Sequence, residues 1–487
     1  LTKGRDLYWV GGTGIWHDPA HWSLTSGGPG GECIPTPFDN VFFDDKSFSG
    51  PNQEVNYAAQ NFVVNFKNLL WSGPPASTIM TMDDMHAYGS FELRTDFTLY
   101  LTELFLKGDL QNNVLDLRNH FIWNLNVEGT GQWTMLSDFN FNYIGHQNGT
   151  LNLGEGTHGE IGTYYGYSAN TSQTSVLQGG SCYLVVNGEY LTYYGSFNIA
   201  TQQFDLQAGN STIEMTNPNA GIVGSLSQLS FHNVSFTNSD GIGTIANTYY
   251  NNGNQVKKEW SFHRLSFAGD GIIYGPSATD SLLFTPGHGY VLESTLQHKI
   301  NDYWQIRGNN CARIRLESTI PGQQSINVKT SGIVDGAFIQ MRDQKAQGGA
   351  QFFAGANSND VGNSNTGWQF DDKPGFVDYG LLGEDVVLCN NASLTLNEDN
   401  LIGANAYLWN NSGTDYFYEV TTPGQYFVQA TYDNNCILYD TIAVLAAQQF
   451  QVDLGSDQTI CAGESITLDG TVPLNGVIYS WENGSTD

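Results

Sequence analysis

Apolar and polar residues alternate in short runs along most of the chain, and no helical period lasts beyond two turns. Runs at 62–66, 97–101, 121–127, 183–186, 211–216, 282–284 and 325–328 read as strands punctuated by Gly and Asn. One pattern, apolar-polar-polar-apolar-polar-apolar and then a turn residue, recurs from Phe66, Phe231 and Phe262. It suits a strand that enters a shared core and leaves at a turn. Such units cannot bury an apolar face alone, and stacked neighbours complete it. The predicted fold class is all-β. An N-terminal β-solenoid, a right-handed parallel β-helix over residues 1–376, is followed by Ig-like β-sandwich modules. Uneven spacing of the runs leaves β-sandwich or jelly-roll arrangements open for the first part. Stacked side-chain amides in a ladder would account for the many Asn.

The C-terminal region repeats itself. Leu382, Gly383 and Asp385 match Leu454, Gly455 and Asp457, Cys389 matches Cys461 at an offset of 72 (461 − 389), and Trp409 matches Trp481. Short strands and turns over 381–447 surround a Cys389, Trp409, Cys436 order, which is immunoglobulin-like and predicts a Cys389–Cys436 disulfide. Residues 451–487 read as the start of a second such domain. The offset puts the counterpart of Cys436 beyond Asp487, so the sequence reads as the opening of a longer repetitive protein.

Composition narrows the partners. The 487 residues carry a net charge of −30, which repels nucleic acid and anionic membrane. Charged residues are only 14%, with 13% aromatics and 56 Gly, a balance that favours β-structure with many turns over disorder. No apolar run of about 18 residues exists, so no membrane insertion is expected.

The opening Tyr8-Trp9-Val10-Gly11-Gly12-Thr13-Gly14-Ile15-Trp16-His17-Asp18-Pro19-Ala20-His21-Trp22-Ser23, then Pro35-Thr36-Pro37-Phe38-Asp39-Asn40-Val41-Phe42-Phe43-Asp44, resembles the N-terminal domain of very large surface proteins of Bacteroidetes. These are the gliding-adhesin-like and filament-like proteins exported by the type IX system. Asn365-Thr366-Gly367-Trp368-Gln369-Phe370 looks like the end of that domain, and the modules at 382 and 454 are similar to the tandem Ig-like repeats that follow it. The resemblance implies a secreted, extracellular, cell-surface location, adhesion and filament building. It supplies no catalytic residues.

Candidate sites are few. His17 and His21 have the spacing of a helical zinc pair, but Asp18-Pro19 intervenes and no base follows, so an aromatic solenoid cap over 8–45 is the preferred reading. Asp39, Asp44 and Asp45 form a candidate calcium loop, with a solvated turn as the simpler reading. Structural calcium is the one cofactor raised. Tyr164, Tyr165, Tyr167, Tyr193 and Tyr194 are candidate ligand contacts, because adjacent aromatics on a strand point to opposite faces. No Ser-His-Asp, GxSxG or phosphate loop is present, and Arg313, Arg315 and Glu317 read as a charged exterior stripe. The reading is a non-enzymatic adhesin or filament segment contacting surface glycans or other cells. A homo-oligomeric filament protomer and a polysaccharide-degrading β-helix enzyme are the alternatives.

Overall fold

The computed structural model describes residues 4–57, 63–73, 77–167, 174–188, 196–200, 203–224, 227–251, 254–376, 380–389, 392–396, 403–432, 435–447, 452–470 and 480–482. Its regular elements are strands, apart from the 3-10 turns Pro19–His21 and Val361–Asn363. The chain divides into two compact units, Leu1–Phe376 and Val377–Asp487.

In the first unit strands pair in parallel with strands further along the chain, apart from the antiparallel pairs Asp6–Trp9 with Trp22–Ser23 and Thr248–Asn251 with Asn254–Lys257, and the inward residues of the parallel strands line up in columns. One column runs through Val64, Met85, Leu104, Leu125, Ile144, Tyr164, Phe197, Ile222, Ile245, Ile273 and Leu292 by direct register. All are buried, and each is worth about 1.5–3 kcal/mol relative to exposure.

Alternation is broken at one place in many strands. In Ile79–Ala87, Thr98–Leu106, Phe121–Val127, Phe139–His146, His158–Gly166, Ser230–Phe236, Trp260–Phe267 and Ser277–Phe284, two successive residues face away from the core between two inward ones. The inter-strand register skips the first residue of each such pair, for example Thr102, Trp123 and His263. A strand cannot send two neighbours to one side without bending, so this pair marks a bend. The recurrent sequence pattern is this bend: Phe231 pairs with Phe262, Val234 with Leu265 and Phe236 with Phe267. The copy at Phe66 departs from it, being divided between Val63–Phe66 and Asn68–Trp71.

The N-terminal end is an aromatic cluster. Trp9, Trp16, Trp22, Phe43 and Trp71 are all fully buried. Trp9 meets Trp22 edge-on at 5.2 Å, and Phe43 stacks on Trp71 at 4.5 Å. The indole Nε1 of Trp22 donates to the Trp16 carbonyl at 2.7 Å. Beside this cluster runs a polar ladder: Asn40 Nδ2 donates to Asp6 (2.7 Å), Asn68 Nδ2 to Asn40 (2.8 Å), and the Ser90 amide to Asn68 (2.7 Å).

In the second unit Val386–Leu388, Ile437–Ala446, Gly424–Thr431 and Ala406–Trp409 form a four-stranded sheet in that order, and Leu394–Leu396 pairs with Tyr418–Val420. Tyr418 lies 5.5 Å from Trp409 and 5.4 Å from Tyr426, so the small sheet covers the inner face of the large one. Residues 452–470 contain no strand and are almost entirely exposed.

The Cys389–Cys436 pairing does not occur. Cys389 is an exposed free thiol, while Cys436 is disulfide-bonded. Val386–Leu388 pairs in parallel with the far end of Ile437–Ala446, and the Ala447 amide bonds the Leu388 carbonyl. Cys436 precedes the near end of that strand. At about 3.3 Å per residue the two sulfurs are on the order of 35 Å apart, against a Cα limit of about 7 Å for a disulfide. In the first unit Cys33 is an exposed thiol, Cys182 a buried one and Cys311 disulfide-bonded. Burial pushes the Cys182 thiol up to about 11. A maleimide will therefore label Cys33, Cys389 and Cys461 in the native, unreduced chain and spare Cys182 until unfolding. Mass mapping of the labelled peptides checks this, and a Cys389 that reacts only after reduction would restore the predicted bridge.

Candidate functional site

The bends put side chains on the outside of the first unit that packing does not need. Trp123 is the first outward residue of the Phe121–Val127 bend, and Phe121 faces outward by alternation with buried Ile122. Their rings meet edge-on at 5.7 Å. With Tyr100 from Thr98–Leu106 they border a groove of about 300 Å3, floored by Met82, Leu99 and Leu101 and edged by Tyr57, Thr81 and Thr102. Tyr100, Trp123 and Phe121 remain 61%, 52% and 45% exposed. Three large rings left in water around one groove are unusual for a surface that only solvates a core.

A polar strip follows directly along the same strands. Asp84, Glu103, Asn124 and Tyr143 stand side by side in register. Asn124 Nδ2 and Asn126 Nδ2 each donate to the Glu103 carboxylate at 2.6 Å. Burial, then the neighbouring charges of Asp83 and Glu103, raises the Asp84 carboxyl. Burial and the nearby Tyr167, Tyr165 and Glu103 push the Tyr143 hydroxyl up to about 12, so it stays a neutral donor. Flat apolar faces beside fixed donors and acceptors can hold a ligand with one apolar and one hydroxylated aspect.

The predicted contact tyrosines divide. Tyr164 is 1% exposed, stacks on Phe197 at 4.6 Å and bonds His146 Nδ1 through its hydroxyl at 2.8 Å, so it is core and not a contact residue. The bend at Gly162-Thr163 shifts the alternation and turns Tyr164 inward. Tyr165 and Tyr167 are half-buried on the outside, their rings stacked at 5.2 Å. Tyr193 and Tyr194 lie outside the described residues.

The calcium loop is also corrected. Asp39 is 3% exposed, and its carboxylate accepts from Arg5 N (2.7 Å), Nε (3.1 Å) and Nη2 (2.8 Å), and from Thr36 N (2.9 Å) and Oγ1 (2.7 Å). Burial pushes this carboxyl up, but the hydrogen bonds from Arg5 and Thr36 outweigh it and hold it at about 2. A guanidinium occupies the place a cation would take. Asp44 accepts from Lys46 N (2.9 Å) and Ser47 Oγ (3.3 Å) and closes a turn, with Asp45 exposed beside it. Among the described residues no three His, Cys, Asp or Glu side chains are grouped to hold a metal. His21 stacks on Trp9 at 4.7 Å and meets the Val10 carbonyl at 2.8 Å through Nδ1. A Cβ on Gly14 would meet the His21 ring at 2.0 Å, so this glycine makes room for the imidazole.

Other charged clusters are spent on structure. Glu317 pairs with Arg342 at 2.9 Å, and Arg315 approaches Asp270 at 3.7 Å. Glu293 is held by Lys257 and by the Gly275 amide. A larger groove of about 520 Å3 by Phe38 and Tyr88 contains Lys67 and Lys107, but Lys107 is tied to Glu128 at 3.0 Å. Sequence reasoning missed Tyr100, Phe121 and Trp123. The available signal was an aromatic at the second place of the bend pattern, Trp123, and aromatics immediately before its first place, Tyr100 and Phe121. Compared with protein-family models, curated proteins and solved structures, the chain matches none.

Proposed function

We propose that the first unit is a parallel β-solenoid acting as the rigid, contact-bearing part of a secreted cell-surface adhesin, followed by Ig-like modules. The groove of Tyr100, Phe121 and Trp123 takes a neutral glycan. The observation that carries this reading is the trio of exposed rings beside the Glu103, Asn124 and Tyr143 strip. Aromatic faces take the apolar side of a sugar ring, while carboxylate, amide and phenol take its hydroxyls. The net charge of −30 disfavours polyanionic glycans. A disulfide-bonded Cys436 accords with an oxidising, extracellular location. No reaction is needed: many weak contacts on a displayed rod add by effective concentration.

A glycan panel tests this. Saturable binding is expected, and Trp123→Ala will weaken it at least tenfold while leaving the fold intact, since the side chain is half-exposed. Equal binding by wild type and Trp123→Ala would remove the groove from the account. A second reading has one observation in its favour. Asp84, whose carboxyl is raised by burial, stands in register beside Glu103, whose carboxylate accepts from two amides, so two carboxyl groups in different surroundings are adjacent. Release of reducing ends from a bound glycan, lost in Glu103→Gln, would make the site hydrolytic.

A further inference from the structure

The outer face of the four-stranded sheet in the second unit is apolar and free of charge. Val387, Leu408, Phe427, Ile437, Tyr439 and Leu445 point outward there, at 59%, 38%, 39%, 42%, 67% and 51% exposure. Register places Leu408 beside Gln429, Gln429 beside Tyr439, Phe427 beside Thr441 and Val387 beside Leu445, so they share one face. The remaining outward residues of these strands are Ala, Gln and Thr. Asp440 lies within Ile437–Ala446 but alternates to the inner face and accepts from the Leu382 amide at 2.7 Å, while Asp385, at the rim beside Ala443, accepts from that residue's amide at 2.8 Å.

We propose that this face pairs with the same face of a second copy of the chain. Two chains of net charge −30 repel each other over most of their surfaces. A face without charge is where they can approach. A basic partner would be drawn to the carboxylates elsewhere, and a polyanion is excluded by the same field. The rim fits a copy of itself, because Gln and Thr both donate and accept and can satisfy one another across a two-fold axis. Strands of 3, 10, 8 and 4 residues, at about 3.3 Å by about 4.8 Å per residue, give about 400 Å2 per partner. That is the weak end of specific interfaces, so single pairs exchange and arrays of modules add up.

Sedimentation of the full chain from about 10 µM to about 1 mM tests the proposal, a range chosen for a weak pair. The average mass should rise from 53.5 kDa toward twice that value, with no weakening as salt is added. Phe427→Arg and Tyr439→Arg, both at exposed positions, should weaken association at least tenfold. Thr441→Lys, which replaces a residue already in water, should do the same without touching the core. Trp123→Ala in the first unit should leave association unchanged, which separates this surface from the glycan groove. A constant 53.5 kDa for the wild-type chain across the range overturns the proposal, as does association by the three charged variants equal to wild type.

Discussion

Between pH 7 and pH 4 two buried histidines will withdraw on the order of 6 kcal/mol from the stability of the first unit, about 3 each. His146 is fully buried and His298 is 1% exposed. Burial holds both imidazoles down at about 4 against an ordinary 6.5. The two are built alike. Nε2 meets a backbone carbonyl, Gly149 at 3.2 Å for His146 and Glu293 at 3.3 Å for His298. Nδ1 meets a hydroxyl, Tyr164 at 2.8 Å and Ser277 at 3.0 Å. A neutral ring with its proton on Nε2 satisfies both contacts, donating to the carbonyl and accepting from the hydroxyl. The unfolded chain takes up protons below pH 6.5, while the folded chain does not until about pH 4. The contribution is therefore whole above pH 6.5 and is lost as pH falls from there to about 4. Asp39 acts in the same direction but lower, its contribution being lost as pH falls from about 4 toward 2. Easing of the acidic self-repulsion opposes these losses, so the comparison that isolates the histidine is a difference. In urea titrations the advantage of wild type over His298→Asn should shrink by about 3 kcal/mol between pH 7 and pH 4. A difference that does not change with pH would mean the imidazole is already charged in the fold.

The strand content and the stacking of like patterns were legible in the sequence, and the pairing of Phe231 with Phe262 shows why. The polar pair inside each pattern is a bend that recurs in many strands, so local composition and long-range register report the same event. The faces of individual residues were less legible. One bend reverses inward and outward for everything after it, so the doubled outward pair at Gly162-Thr163 sent Tyr164 to the core. The aromatic groove was hidden for a related reason. Tyr100 and Trp123 meet only through the register of separate strands, and neither has a local spacing that announces a partner. Asp39 looked like one of three carboxylates in a loop, whereas its partner Arg5 lies on another strand-leading segment that sequence proximity does not reveal. The cysteine order failed because order says nothing of strand direction. The parallel pairing of Val386–Leu388 carries Cys389 to the far end of the strand that Cys436 begins.

Phe267→Ala will cost the first unit about 4 kcal/mol, the middle of the range for deleting a packed phenylalanine. Phe267 is 1% exposed. Its ring is parallel to that of Phe236 at 4.9 Å, and it lies 6.2 Å from Phe284 and 6.1 Å from Tyr290. The space for this column is kept by two glycines. Gly243 and Gly271 are register partners; a Cβ on Gly243 would come within 2.5 Å of the Phe236 ring, and one on Gly271 within 2.9 Å of the Phe267 ring. Where Tyr290 takes the glycine's place in the next strand, it stacks on Phe284 at 3.8 Å. Glycine in a strand interior is a cost, and here it is offset by the aromatic column that it admits. Gly271→Val alone should also destabilise, by about 1–3 kcal/mol, through overpacking. Combined with Phe267→Ala, the valine should fill part of the void that the alanine leaves. The double variant should then be less destabilised than the two single losses added together, since residues sharing one cavity couple. Urea unfolding of the four chains measures this. Strict additivity would show that the glycine and the phenylalanine do not share that space, and a loss below about 1 kcal/mol for Phe267→Ala would show that the column is not packed as described.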